Sequence, residues 1–344
     1  PNLLNYVADV SISGAYSLAE VLMPALIEAF GLRHGYAVAR ESESDTRFTY
    51  SLTDGKSGRV LARFRFHATN SDEGFADLLA DEADIAMSLR EIRPQEAKRG
   101  YDAGLGDMTD TNRSRVLALD GLVAVVSPGN PVRALSPLQL AQIFAGQVET
   151  WAEFGGPDAP ISLHLLEVET GLAQAVEDQL MKPANRNLSE RIKRYARNDD
   201  LVDAVIDDPF AIGIAPFSEI GNTQSLVLKG SCGFALAASR RTLKTEDYPL
   251  TAPMFLYFPA RRLPKMAREF LAYTRSPSAQ VVIRRAGFVD QTPEEIPVDL
   301  QGDRFVNAIS VVDEETTVED LKRMTRRLAP LKRLTTSFRF RTGS

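Results

Sequence analysis

The sequence has one cysteine, Cys232, and three histidines, His34, His67 and His164, in 344 residues. A single cysteine cannot close an internal disulfide. The apolar, glycine-flanked setting of "KGSCGFALAAS" reads as a small buried residue without an activating neighbour. The histidines are too widely spaced to form a ligand cluster, which argues against a zinc site. No nucleophile elbow, P-loop or dinucleotide glycine fingerprint occurs, and no nucleophile–base pair stands out. We therefore expect no catalytic residues, no metal and no cofactor: a protein that is not an enzyme. No apolar run is long enough to span a bilayer. The net charge of −6 leaves no footprint for nucleic acid. No signal peptide is visible at "PNLLNYVADV", a start compatible with removal of an upstream segment.

What is present is ordinary globular material, 44% hydrophobic and 25% charged, enough for two domains. "VADVSIS" alternates like a strand. The next stretch carries apolar residues at helical spacing from Leu18 through Phe30, with Gly31 as its expected stop and Pro24 marking a kink or short first turn. Strand-like alternation flanks the turn signal Asp54-Gly55. A short helix precedes a strand at Ile85–Ser88, and "VLALDGLVAVV" reads as a buried strand. Ser136 and Pro137 open a capped helix. Further helices are expected at "LSERIKRYARND", "DDLVDAVIDD", "KMAREFLAYTRS" and "PSAQVVIRRAGF", and strands at "FAIGIAP" and "PMFLYFPA". Alternating strands and helices argue for an α/β fold.

The segment "EVETGLAQAVED" follows a strand-like run, and Thr170 can cap a helix from about Gly171. A strand, turn and helix N-terminus of this kind can hold an anion, but Glu167 and Glu169 place negative charge beside it. Beyond Gln291 the character changes. "QTPEEIPVDLQGD" reads as a linker and "TTVEDLKRMTRRLAPL" as a helix with acids first and bases last. "LTTSFRFRTGS" reads as a strand with an apolar face at Phe338 and Phe340. The eight Lys and Arg from Lys322 to Arg341 fit a solvated helix face and edge strand better than a phosphate-rich partner.

Several stretches together resemble the phosphate-binding proteins of ABC transporters, of the type II periplasmic binding-protein fold. They are Leu117 to Leu165, with its Asn-Pro turn, Phe-x-Gly, Trp and Gly-Gly-Pro-Asp, then "DDPFAIGIAPFSEI", "DYPLTAPMFLYF" and "AREFLAYTRSPSAQVVIRRAGFV". The tail resembles the opening strand of an OmpA-like peptidoglycan-binding domain, interrupted just after it begins. The resemblance implies two α/β lobes around a ligand cleft, joined by crossover strands near Val125 and Lys229. Residues 8–125 plus 230–290 would form lobe 1 and residues 126–229 lobe 2. Residues 291–344 would be linker, helix and first strand of the truncated OmpA-like domain.

Carried over position by position, the resemblance places Gly14, Ala15, Tyr16 and Ser17 in the first ligand loop, Ser71 in the second, and Ser88 and Arg90 in the third. Arg90 is the candidate cation. Thr170 and Gly171 stand in the fourth loop, where Leu166, Glu169 and Leu172 replace the family's arginine, glycine and threonine. Losing that arginine should cost on the order of 2–5 kcal/mol of anion affinity. The expectation is a periplasmic solute-binding protein of the Gram-negative cell envelope with a depleted cleft. Its partners would be a small-molecule or anionic ligand, an ABC permease, and peptidoglycan through the missing domain. The rival is an envelope structural protein, tethered to peptidoglycan by the OmpA-like domain and without a transport ligand.

Overall fold

The computed structural model describes residues 7–230, 235–302 and 317–336. Cys232 and the Phe338–Arg341 stretch lie outside these residues. Strand β1 (Ala8–Ala15) leads through a π-helical turn (Leu18–Leu22) into α1 (Met23–His34). Pro24 sits in the first turn of α1, so the expected break is real. The expected stop is not: Gly31 lies inside the helix, where a Cβ would collide with Val38, and Gly35 ends it with φ 72°.

An antiparallel hairpin follows, β2 (Tyr36–Ser42) and β3 (Arg47–Asp54), then β4 (Val60–Thr69), α2 (Ser71–Leu79), β5 (Ile85–Ser88) and α3 (Pro94–Asp102). The long strand β6 (Ser114–Val126) is buried from Leu117 onward. Across the second lobe come β7 (Ala134–Leu135), α4 (Pro137–Phe144), β8 (Ser162–Leu166), α5 (Gly171–Val176), β9 (Lys193–Tyr195), α6 (Asn198–Asp207) and β10 (Ala211–Pro216). Ser136 and Gln139 close a reciprocal capping box at the start of α4. Short strands β11 (Gln224–Ser225), β12 (Val227–Lys229) and β13 (Ala235–Leu236) precede α7 (Arg240–Lys244). Strand β14 (Thr251–Tyr257), α8 (Lys265–Tyr273) and α9 (Pro277–Arg285) complete the first lobe.

Among the described residues the main sheet follows the path β2-β3-β4-β1-β5-β14-β6-β10-β8-β9, with β11 on β6, and β13-β12-β7 form a separate small sheet. Strand β6 carries the path between lobes: residues 114–121 pair with β14 and residues 122–126 with β10. Leu243, Tyr248 and Leu250 pack in the second lobe's core, so the chain regains the first lobe's sheet at Thr251, well beyond Lys229.

Two further sequence expectations are corrected. The polar stretch "LSERIKRYARND" contains no helix before Asn198. Lys193–Tyr195 instead pairs in parallel with β8, and the ring of Tyr195 stacks on His164 at 5.6 Å. The sheet edge overrides the helical composition of these residues. The Pro- and acid-rich "linker" is also built into the body. Its β15 (Glu295–Pro297) pairs with β16 (Lys332–Leu334), beyond the helix α10 (Val318–Leu328). Arg333 then pairs with Asp247 at 2.5 Å and Thr335 Oγ1 accepts from Glu294 N. Residues 332–334 thus find a strand partner in the same chain, while the expected strand through Phe338 and Phe340 lies outside the described residues.

Candidate functional site

The ends of β1, β4, β5 and β8 meet at the seam between the lobes, and the turns that follow them carry the expected site residues. Gly14 closes β1 with φ 127°, and a Cβ there would collide with the carbonyl of Met87 on β5. A Cβ on Gly74 of α2 would lie 2.8 Å from the Cα of Gly14. Two glycines therefore let a strand end and a helix touch backbone to backbone. Ala15 is fully buried behind this contact. Tyr16 is exposed, and burial of its hydroxyl end and nearby Glu20 push its pKa up, with Arg197 of the second lobe opposing them.

The hydroxyls divide unequally. Ser71 Oγ accepts from Leu89 N at 3.0 Å. Ser88 Oγ donates to the carbonyl of Arg90 at 2.7 Å and accepts from its N–H. Thr170 Oγ1 accepts from Ala173 N at 3.2 Å and donates to Glu167 O, as a helix cap does. These three hydroxyls are occupied by backbone. Ser17 is different: it is already helical, makes no cap bond, and its buried Oγ has no partner among the described residues. A buried hydroxyl without a partner costs stability unless a ligand completes it.

Arg90 does reach the seam, but acids surround it. It pairs with Asp72 at 2.5 Å and Glu96 at 2.7 Å, and its Nε lies 3.8 Å from Asp178. Burial alone would depress the Arg90 pKa, yet the bonds from Glu96 and Asp72 hold it above the ordinary value. Its charge is spent on the protein's own carboxylates. Arg93 extends the group, donating to Asp72 at 3.2 Å and to Asp178 of the second lobe at 2.9 Å.

The lobes touch directly. Asn70, the N-cap of α2, donates from Nδ2 to the carbonyl of Glu169 at 2.9 Å. A Cβ on Gly171 would stand 3.2 Å from Leu89 Cδ1 and 3.6 Å from Ala15 Cβ. The structure thus brings Ala15, Gly171 and the Ser71–Leu89 contact together. The carboxylate-bearing Glu167 and Glu169 are exposed. Leu166 and Leu172 are buried in the second lobe's core. Sequence reasoning missed Asn70, Arg93 and Asp178. Asn70 had a signal, a capping residue three positions before Glu73. Arg93 and Asp178 had none, being 85 residues apart.

A family model, the PBP superfamily domain, matches residues 7–278. The chain belongs to this superfamily. Curated relatives include the phosphate-binding protein PstS of Borreliella burgdorferi, 20% identical over 65% of this chain and 78% of the relative. PstS of Bacillus subtilis is 25% identical over 54% of this chain and 60% of the relative. Among solved structures, an ABC-type phosphate transport receptor from Vibrio cholerae matches with TM-score 0.62 and 21% identity, covering 81% of this chain and 99% of the receptor. A putative phosphate ABC transporter substrate-binding protein with bound phosphate from Clostridium perfringens gives 0.61 and 20%, covering 82% and 99%. These likenesses show the α/β, type II binding-protein fold. The superfamily assignment also supports the expectation of a binding protein rather than an enzyme. Among the described residues no helix is long and apolar enough to cross a membrane.

Proposed function

We propose that this protein captures a small oxyanionic ligand, weakly and without covalent chemistry, between its two lobes outside the cytoplasmic membrane, and presents it to an ABC permease. The observation that carries this reading is the convergence of four post-strand turns on one seam, with the Ser17 hydroxyl buried there and without a partner among the described residues. The first N–H groups of a helix lack intrahelical acceptors, so those of Gly171 and Leu172 are available to an anion. Phosphate is the ligand named for the relatives. Here the cleft is depleted for it: Leu166, Glu169 and Leu172 bring no cation, and Arg90 is neutralised by Asp72 and Glu96. Weak binding follows from a site whose Arg90 is already paired with carboxylates and whose nearby Arg194 is turned to the carbonyl of Leu166.

Thermal unfolding titrated with phosphate, sulfate and small carboxylates tests this, because a ligand that binds only the folded state raises its stability. The expected result is an upward shift that is reduced in Ser17→Ala. No shift from any of these anions at millimolar concentration would sink the proposal.

The inter-lobe contacts favour a second reading. Arg93–Asp178 and Asn70–Glu169 hold the seam with the protein's own groups, as suits an envelope structural protein whose lobes no longer open for cargo. Tethering to peptidoglycan through an OmpA-like domain belongs to this reading and rests on the tail sequence alone. Its signature is scattering in solution that stays compact and unchanged over the whole anion titration.

A further inference from the structure

A cavity of about 420 Å³ lies away from the seam, between the start of β6, the α8–α9 turn and the segment after Asp290. Its polar lining includes Arg115, Thr274, Arg275, Gln291 and Thr292. It shares none of the seam residues. A larger neighbour of about 670 Å³ adjoins it through Ser114, Val116, Gln291 and Pro293.

Neither arginine forms an ion pair among the described residues, and the two lie close together on one cavity lining. Arg115 Nη1 donates to the carbonyl of Leu271 at the end of α8 and to Thr274 Oγ1. That bond caps the helix, but it uses one nitrogen of the fork. Arg115 Nε is buried with no hydrogen-bond partner among the described residues. Burial, with Arg275 close by, pushes the Arg115 pKa down to about 10, the signature of a guanidinium desolvated beside a like charge. The acids that flank the lining in sequence, Asp290 and Glu294, are both engaged by Lys244, at 3.1 and 2.6 Å, and by Arg240. A half-buried cation facing a second cation is costly unless an anion completes it.

We propose that this cavity is a second anion site, separate from the inter-lobe cleft, that takes a phosphate group, free or as the monoester of a small alcohol. Two unpaired guanidiniums match the charge of a phosphate dianion and can bind its oxygens in bidentate fashion. Thr274 and Thr292 also line the cavity, and Val116, Pro277 and Pro293 supply apolar surface for an ester's carbon skeleton. The volume lies within the range of small-molecule sites and exceeds what a bare ion fills.

The test is calorimetric titration of the whole chain with inorganic phosphate and with glycerol 3-phosphate, repeated on Arg115→Gln, Arg275→Gln and Ser17→Ala. Saturable binding of either probe is expected to weaken about tenfold in each arginine variant and to persist in Ser17→Ala. Tighter binding of glycerol 3-phosphate than of phosphate identifies the ester as the source, and equal binding identifies the free ion. Arg275 is exposed, so its variant keeps the test valid if Arg115→Gln fails to fold. Unchanged affinity in Arg275→Gln, loss in Ser17→Ala alone, or no binding of either probe at millimolar concentration overturns the proposal.

Discussion

Arg93 Nη2 of the first lobe lies 2.9 Å from Asp178 Oδ2 of the second. It is an ion pair across the seam that needs no ligand. Asp178 also receives Lys182 from its own helix and approaches Arg90. The half-exposed Arg93–Asp178 pair should contribute no more than about 1 kcal/mol to closure. Replacing Arg93 by Gln should shift the lobes toward an open arrangement, and high salt should do the same to the wild type. Fluorescence energy transfer between one label on each lobe would show this as increased separation. An unchanged separation in the variant and in salt would mean that the pair does not govern closure.

Gly14→Ala is expected to destabilise the fold by about 3 kcal/mol or more, because it adds a steric collision to a backbone conformation that L-residues rarely adopt. The site for that collision is the Met87 carbonyl. Denaturant unfolding would measure the loss. A midpoint within error of the wild type would show that the β1–β5 contact can move aside.

The Asp120 carboxyl is buried where β6 changes lobes, and burial pushes its pKa up to about 6 despite bonds from Ser218 and Gly121. Between the ordinary 3.8 and about 6, the folded protein keeps a proton that the unfolded chain has released. Stability therefore falls as pH rises through that window and is level above it with respect to this group. Asp120→Asn keeps an acceptor for Gly121 and Ser218 and removes the titration. The variant should gain on the wild type as pH rises, up to about 3 kcal/mol at neutral pH. Urea unfolding of both proteins across pH 4 to 7 gives the difference curve. A flat difference would refute the assignment.

Lys244 is almost fully buried between Asp290 and Glu294. Lys244→Met would leave the buried Asp290 carboxylate with the Thr292 N–H and the more distant cations Arg240 and Arg284. A loss of about 3 kcal/mol is expected, largely recovered when Asp290→Asn is added, because the uncompensated charge causes the damage. A double variant no more stable than Lys244→Met would place the loss in packing instead.

How much of this was legible in the sequence depended on the range of the interaction. The glycine turns, the Ser136 cap and the β10 and β14 strands declare themselves through neighbours a few residues away. Strand β9 did not, because its three residues are polar and are held by β8, some thirty positions earlier. The site splits along the same line. Gly14, Ser71 and Gly171 were readable as turns after strands. The fate of Arg90 was not, since its acids come from α2 and α3 and their geometry is tertiary. Asp72 was visible beside the second loop, but nothing in the sequence said that it would claim the arginine.

The contact of Gly14 with Met87 and Gly74 separates two kinds of constraint. The path of the backbone through the seam is set by hydrogen atoms standing where side chains would clash, and it makes no demand on which groups line the cleft. Substitutions at the lining positions can therefore accumulate without disturbing the scaffold, and a descendant can exchange one cargo for another, or lose cargo altogether, while its skeleton stays the same.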